Sequence, residues 1–480
     1  MRNTVSGFAA TIAKLWRSRD ELNIKHIRLR CLNYLLAFPF SMIMNDMAYK
    51  FFDERCPPHG TAGYSYLFAA MAVAAFITII GFLRKPNIHR ILWPVIALAG
   101  FLVSMLSTNN SVGYIAAMMC WAGMGGCAIS GFFAFSFVLN NSERFASISI
   151  VVLNMGLNVF LYETPGYPLY QYILLVFTLI IMVASVFSFK PADFKFASPK
   201  DNKKTDIPKG TYSLSFCVLN FLLITIIGDD ALIRIVGEGS VYRFIFGGGI
   251  VAAVMFCVVV QLLFRSSIWH VWNIFLFLSL MGYGMAIFSG TDFISYAGYA
   301  LYGVGVGFGN YALFYLSGGL FKKYMDIKFF LRMVFLFCLI SLIGTFITGI
   351  FYNIDAQAYG IYVLVFMVVL SFIHMLLAPI HAKHLFNEDW IDDYHNFDMA
   401  LITEQINKTD ALSGFGLTPR EKEVCALLLK AHTLRQIAGD LGIAYSTVNV
   451  HYTNLYRKLG INSRVELLVK FGITVSKKEK

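Results

Sequence analysis

The sequence predicts an all-α protein: a twelve-helix bundle immersed in a bilayer, followed by a compact four-helix domain in water. Three observations predict it. Of 480 residues, 58% are hydrophobic, 16% aromatic and only 14% charged, against about 25% charged in soluble globular chains. Apolar runs of about 20 residues, the length that crosses a hydrocarbon core, recur along the chain. The last hundred residues then abandon the pattern. Residues 383–413 carry 2 Lys/Arg against 7 Asp/Glu, and 414–480 carry 11 against 5. The eight cysteines are scattered and suggest no bridge or metal site. Cys56 falls in an outer loop, and the other seven read as small buried hydrophobes.

The twelve apolar runs lie near 31–52, 65–83, 92–108, 112–139, 145–163, 168–189, 213–236, 241–264, 268–288, 293–320, 327–352 and 357–382. The third is short and the fourth and tenth are long, which implies tilt. The first thirty residues hold seven Lys/Arg and no small-residue cleavage site, so no cleavable signal is expected. Cytoplasmic loops are enriched in Lys/Arg. Here the basic residues fall in alternate loops: Arg84, Lys85 and Arg90; Arg144; six lysines from Lys190 to Lys209; Arg265; and Lys322, Lys323 and Lys328. The other loops hold Arg55 and little else, while Lys50, Arg234 and Arg243 sit near outer span ends. Both termini are therefore expected in the cytoplasm, at the inner membrane of a bacterium. The expected organisation is a basic N-terminal segment (1–30), a membrane domain (31–382) with halves 31–189 and 213–382 and a central loop 190–212, an acidic linker (383–413) and a basic C-terminal domain (414–480).

The two halves correspond at an offset of about 180 residues: Asp46 with Asp229, Arg84 with Arg265, Tyr114 with Tyr296. Two six-helix halves joined by a long basic loop resemble the major facilitator superfamily, whose halves are repeats around a midplane cavity. The resemblance covers about residues 30–382 and rests on span count, pseudo-repeat and loop pattern. One departure stands out. The family's Gly-x-x-x-Asp-x-x-Gly-Arg-type signature after the second span reads here Gly81-Phe82-Leu83-Arg84-Lys85-Pro86-Asn87-Ile88-His89-Arg90. It lacks the acid that helps to hold the family's cytoplasmic gate.

Ionisable residues inside spans are expensive and mark candidate function. Asp46 lies about 24 Å along its helix from Arg30, and Asp229 and Asp230 about 30 Å from Lys209, at ~1.5 Å per residue. In a facilitator-like fold the first and seventh spans line the central cavity. Asp46, Asp229, Asp230, Arg234 and Arg243 are therefore the candidate ligand-binding residues. An alternative stays open for Asp229, Asp230 and Arg234, which at that depth also suit the water interface, Asp230–Arg234 being a local i,i+4 pair. Asn154 and Asn158, Gln261, Asn310 and His374 read as interhelical hydrogen-bonding groups, and the glycines 123, 125, 126, 303, 305, 307 and 309 as close-packing seams.

The C-terminal domain shows plain helix signals. Thr418 precedes Pro419 and Glu421 in a capping-box arrangement, repeated by Thr433 with Gln436 and Ser463 with Glu466. Val424, Leu427 and Leu428, then Ile437, Ala438 and Leu441, fall at helical spacing. Gly442 supplies a turn, a third helix runs from about Tyr445 to Leu459 with Val448, Leu455 and Leu459 inward, and Gly460 ends it. This is a helix-turn-helix. The landmarks Leu417-Thr418-x-Arg420-Glu421-x-Glu423, Ile437-Ala438, Leu441-Gly442-Ile443, Thr447-Val448-x-Val450-His451, Lys458-Leu459-Gly460 and Ser463-Arg464-x-Glu466-Leu467 resemble the LuxR/GerE type of DNA-binding domain.

The resemblance implies that Thr447, Asn449, Val450 and Thr453 face the major groove. Arg435, Arg457, Lys458, Arg464 and the helix starts at Thr418 and Thr433 would face phosphates. Asn449 stands where the family usually has lysine. Lysine favours guanine and asparagine can pair with adenine, so an altered sequence preference is expected; a contact to phosphate or water alone is the other reading. Ala444 stands where serine often caps the recognition helix. His451 and Arg420 read as intradomain residues.

Together these features imply a membrane-bound one-component transcriptional regulator that senses an unidentified small molecule and binds promoter DNA. It would act as a homodimer on DNA, with RNA polymerase as a further partner. The alternative is a facilitator-type transporter with a regulatory DNA-binding tail. No catalytic constellation, metal site or cofactor motif is found in the sequence: there is no His-Glu-x-x-His, nucleophile elbow or Cys/His cluster.

Overall fold

The computed structural model describes residues 27–55, 61–82, 86–162, 169–190, 209–236, 240–262, 270–288, 292–324, 327–351, 354–386, 415–429, 432, 434–443, 445–461 and 467. The chain divides into two compact units, Met1–Ile391 and Asp392–Lys480. Among the described residues every regular element is helical. Cys56, the Leu83–Lys85 part of the signature loop, the side chain of Gln261, most of the central basic loop and most of the acidic linker lie outside them.

The first unit holds α1 (Leu32–Arg55), α2 (Thr61–Phe82), α3 (Pro86–Leu106), α4 (Asn110–Phe137), α5 (Asn141–Tyr162), α6 (Leu169–Phe187), α7 (Lys209–Val236), α8 (Ser240–Leu262), α9 (His270–Phe288), α10 (Asp292–Tyr311), α11 (Ile327–Ile350) and α12 (Ala356–Phe386). A π-helical stretch, Ala312–Leu316, carries α10 on into Ser317–Tyr324. Helix starts follow ordinary capping chemistry. Asn109 Oδ1 accepts from the Ser111 and Val112 amides at 2.9 and 3.3 Å, and Asp355 caps α12 through the Ala358 amide at 3.0 Å. Among the described residues, six helices are on their own long and apolar enough to cross a membrane: Ile88–Leu106, Asn110–Phe137, Leu169–Phe187, Val241–Val260, Ile327–Ile350 and Ala356–Leu377. Large apolar side chains stud the outside of the unit, Phe346 at 69% exposure and Phe277 at 61% among them. That surface suits hydrocarbon and not water.

The packing carries the pseudo-repeat. In the first half α1 packs on α4, α5 and α6, α4 packs on α2 and α3, and α3 meets α6. Six helices later α7 packs on α10, α11 and α12, α10 packs on α8 and α9, and α9 meets α12. Across the halves α5 packs on α8, and the two-fold counterpart α11 packs on α2. Glycines form the tightest seams. A Cβ on Gly123 would strike the Ala97 backbone of α3, and one on Gly303 the Phe246 carbonyl of α8.

One end of the bundle, where α1 starts and α4 finishes, is shut by aromatic rings from both halves. Phe132 of α4 lies 5.8 Å from Phe330 of α11 and 6.0 Å from Phe321. Phe38 of α1 lies 5.2 Å from Phe314. Beneath them Lys322, from the second half, donates to the Phe137 and Leu139 carbonyls at 3.2 and 3.3 Å. A cation at a helix C-terminus, where carbonyls lack intrahelical partners, is favourably placed. Arg144 donates to the Leu139 carbonyl at 2.8 Å and to Asn141. Arg28 grips Glu143 at 2.7 Å, and Glu143 closes a reciprocal cap with Asn140, both bonds 2.9 Å.

Gly123→Val is expected to destabilise the first unit by forcing α3 and α4 apart. Thermal unfolding of the purified protein in detergent checks this: a midpoint several degrees lower is expected, while Gly248→Ala, where a Cβ meets nothing within 4 Å, leaves it unchanged.

Candidate functional site: nucleic-acid interface and membrane cavity

In the second unit α13 (Pro419–Leu429), α14 (Leu434–Leu441) and α15 (Tyr445–Leu459) surround a core of Val424, Cys425, Leu428, Ile437, Val448, Leu455 and Leu459. The capping box at Thr418 forms as its spacing predicts. The Thr418 amide donates to Glu421 Oε2 at 2.8 Å, and the Glu421 amide to Thr418 Oγ1 at 3.3 Å. Two helices end in the same way. The Gly442 amide bonds Gly439 O at 3.4 Å and the Ile443 amide bonds Ala438 O at 3.1 Å; Gly460 and Ile461 repeat this with Arg457 O and Tyr456 O at 3.3 and 3.1 Å. Both glycines have φ near +60° (63° and 64°), a region costly for residues with a Cβ. Gly442 thereby sets the turn that launches α15.

The inner face of α15 is buried at Val448, Leu455, Tyr456 and Leu459. Thr447, Asn449, Val450 and Thr453 all lie on the exposed face. Val450 is 57% exposed, an apolar group suited to a thymine methyl. Thr453 Oγ1 donates to the Asn449 carbonyl at 2.9 Å. Tyr445 and Ser446, also exposed on this helix, extend the face by one turn. The sequence reading passed over them, although their place just after the Gly442 turn was the available signal.

The basic residues divide. Arg457 is exposed and donates to Asn454 Oδ1 at 3.2 Å. Lys458 is bound inside the domain, its ammonium 2.7 Å from Glu421 Oε2 and 3.2 Å from Gly416 O. This pair, missed in the sequence because the two residues stand 37 apart, ties the end of α15 to the start of α13. Hydrogen bonding from Lys458 holds the Glu421 carboxyl below the usual glutamate value. Arg420 pairs with Glu423 at 2.6 Å, and His432 with Asp440 at 2.7 Å. Burial pushes the Cys425 thiol up to about 12, which removes its reactivity. Thr433, Ala444, Ser463 and Arg464 and the side chain of Arg435 lie outside the described residues.

The membrane candidates separate into two sets. Asp46 of α1 accepts a hydrogen bond from Asn154 of α5 at 3.0 Å. Asp230 and Arg234 of α7 pair at 2.8 Å. Arg234 also donates to Thr348 O and Phe351 O, at 2.8 and 2.9 Å, at the end of α11, and lies 4.9 Å over the Tyr359 ring. The first helix of each half is thus bound to the fifth helix of the same half by a partly buried polar contact. Asp229 lies beside the Tyr302 hydroxyl. Arg243 is half-buried on α8. The structure brings Asp230 and Arg234 together and keeps Asp46 apart from them. Asn310 donates to Val306 O of its own helix at 2.9 Å, not across helices as expected, because the carbonyl one turn back lies within its reach.

Between the halves lies a cavity of about 140 Å³, walled by α1, α2, α4, α7, α10 and α11. Its lining is almost wholly apolar: Phe38, Met42, Met71, Met124, Ile129, Phe132, Phe314 and Phe337, with Ser41, Asn45, Ser317 and Ser341 among the polar groups. None of the five ionisable candidates is among its lining residues.

Comparison with known proteins accords with both geometries. Residues 416–471 match the model of the bacterial regulatory proteins, luxR family. This segment is a LuxR-type helix-turn-helix domain. The transcriptional regulatory protein UhpA of Escherichia coli (strain K12) is 43% identical over 51 residues, 11% of this chain and 26% of its own; the chain thus spans about a quarter of that relative. Among solved structures, a bacterial homologue of the iron transporter ferroportin in an outward-facing state aligns over 73% of this chain and 100% of its own, at 15% identity and TM-score 0.51. At that identity the likeness is one of fold. FucP, a Major Facilitator Superfamily transporter in the outward conformation, aligns over 72% of this chain and 98% of its own at 14% identity and TM-score 0.45. The chain thus joins a helical bundle with the fold of that ferroportin homologue to a LuxR-type helix-turn-helix domain.

Glu421→Ala removes the cap and the ion pair with Lys458, and should cost the domain about 2 kcal/mol; chemical denaturation of residues 414–480 measures it. Because the folded state holds the Glu421 carboxyl low, its contribution is complete above the ordinary glutamate value and is lost as pH falls from that value through the folded one. Glu421→Gln should flatten the acid limb of the stability profile and leave the alkaline side unchanged.

Proposed function

We propose that the protein is a membrane-bound one-component transcriptional regulator. Its membrane unit senses a small molecule in the cavity between the halves, and its LuxR-type domain binds promoter DNA. The exposed face of α15, on a chain whose other unit is built for lipid, carries this reading. The alternation of basic loops supports placing both termini in the cytoplasm of a bacterium, with the protein in the inner membrane. The domain boundaries proposed are 31–382 for the sensor, 383–413 for the linker and 414–480 for the DNA-binding domain. Paired half-sites and a homodimer on DNA, and contact with RNA polymerase, belong to the same proposal.

At the groove, Thr447, Asn449, Val450 and Thr453 read bases, while Arg457, Arg464, Arg435 and the helix starts at Thr418 and Thr433 hold phosphates. Lys458 contributes chiefly by bracing α15 through Glu421. Signal transfer is a population shift: ligand favours one arrangement of the halves, and the end of the bundle held by Lys322 and the phenylalanine cluster transmits it. Glu143, gripped by Arg28, takes the place of the acid missing from the loop after α2.

Genome-wide mapping of DNA occupied by the full-length protein, with and without candidate small molecules, tests the reading. Discrete sites whose occupancy responds to one compound are expected; solute flux into proteoliposomes without any DNA occupancy would establish the transporter alternative. Asn449→Lys should move the preferred base at one position of each half-site, and Arg457→Ala should weaken binding at all sites and reduce the salt slope by about one, both read from binding to randomised duplexes. Lys322→Ala should change promoter output in the absence of ligand, because the latch between the halves is lost; a reporter strain measures it.

A further inference from the structure

Three cations meet at the end of the first half where α1 and α3 begin and α6 finishes. Asn33 of α1 donates to Ser188 O at 3.3 Å, and the Lys190 amide donates to the Tyr34 hydroxyl at 3.0 Å. The rings of Tyr34 and Phe189 stack with centroids 4.8 Å apart. Arg90 of α3 donates to Phe189 O at 2.6 Å. The first turns of α1 and α3 are thereby fastened to the residues that follow α6. Arg30 stands three and four residues before Asn33 and Tyr34, the spacing that shares a helix face, so it lies one turn further out at the same junction.

These charges are available to an anion. Arg30 and Lys190 are exposed. Arg90 spends one N–H on Phe189 O, where a cation suits the C-terminal end of α6, and a guanidinium carries five. Among the described residues none of the three forms an ion pair. Glu143, at the same end of the bundle, is already held by Arg28 at 2.7 Å. The starts of α1 and α3 add the positive ends of two helix dipoles. Beside the charges the same helix ends are apolar on the outside: Leu29, Leu32, Ile91 and Phe187 are all exposed. Arg90 lies at the start of the span Ile88–Leu106 and Lys190 just past the span Leu169–Phe187, the level at which a bilayer presents its phosphates.

We propose that this junction binds the phosphodiester headgroup of an anionic phospholipid, held by Arg30, Arg90 and Lys190, with the acyl chains along the exposed apolar flanks of α1, α3 and α6. Basic recesses between spanning helices suit such headgroups. A free phosphate would use the cations alone, whereas a lipid uses the cations and the apolar flank together. A zwitterionic lipid brings a positive charge of its own against Arg30 and Lys190. The bound lipid bridges three helices of the first half. The site is separate from the cavity between the halves and does not depend on the sensory reading.

Native mass spectrometry of the full-length protein in detergent, titrated with dioleoylphosphatidylglycerol or dioleoylphosphatidylcholine, tests the proposal. One phosphatidylglycerol should bind about tenfold more tightly than phosphatidylcholine, and Arg30→Gln and Lys190→Gln should each weaken it about fivefold. Arg332→Gln, which removes an exposed cation of α11, should change nothing. Glycerophosphoglycerol and inorganic phosphate at millimolar concentration should not displace the lipid. Arg90→Gln should weaken binding as well; because it also removes a bond to the end of α6, the exposed residues Arg30 and Lys190 decide the matter if that variant does not fold. Equal binding of the two lipids, or phosphatidylglycerol binding indifferent to Arg30→Gln and Lys190→Gln together, would overturn the proposal. So would an equal loss in Arg332→Gln, which would mean diffuse attraction to a basic surface, or displacement by either soluble phosphate, which would mean a site for a free anion.

Discussion

A bilayer offers the backbone no hydrogen-bond partner, and the rest of the first unit depends on that constraint. Every peptide group that crosses must be satisfied within its own helix or by a close neighbour. Among the described residues the solution seen is twelve long helices, with side-chain caps at ends such as Asn109 and Asp355 and with serine hydroxyls such as Ser41 and Ser130 returned to their own carbonyls at 2.7 and 2.8 Å. Because lipid is as apolar as the helix surfaces, packing in such a bundle comes from close approach and from scarce polar contacts. The glycine seams at Gly123 and Gly303 provide the first. The pairs Asp46–Asn154 and Arg234 with the end of α11 provide the second, one in each half.

The two halves differ in what their polar contacts can transmit. Arg234 joins α7, α11 and the Tyr359 ring into one rigid corner. The Asp46–Asn154 contact sits one residue from a side chain of the cavity wall, and α5 carries it toward α8. The α5–α8 packing and the Lys322 contact with the end of α4 both lie between the halves. The second unit is built by different means. Water satisfies its exposed groups, so a small core and the Glu421–Lys458 bond fix the pose of α15, and Asn449 and Val450 remain exposed.

Much of this was legible in the sequence. The helix boundaries of α15, its buried face at Val448, Leu455 and Leu459, and the cap at Thr418 follow from periodicity and local chemistry, which act over a few residues. The LuxR resemblance drew on the same local signals. The pseudo-repeat was legible because Asp46 and Asp229 stand at matching places. What escaped were contacts between residues distant in sequence. Lys458 reads as a phosphate ligand until Glu421 is seen beside it. Asp46 reads as unpartnered until α5 brings Asn154 to it. The cavity wall was out of reach for a different reason: apolar residues on a spanning helix serve lipid, core and cavity alike, and only the assembled bundle sorts Phe132 from Phe346.

The central claim is that one chain is anchored in lipid while its C-terminal domain reads duplex DNA on the cytoplasmic face. Binding of a labelled duplex to oriented membrane vesicles tests it most directly. The account predicts salt-sensitive capture by inside-out vesicles carrying the protein and none by right-side-out vesicles. Capture by right-side-out vesicles, or by neither, would contradict it.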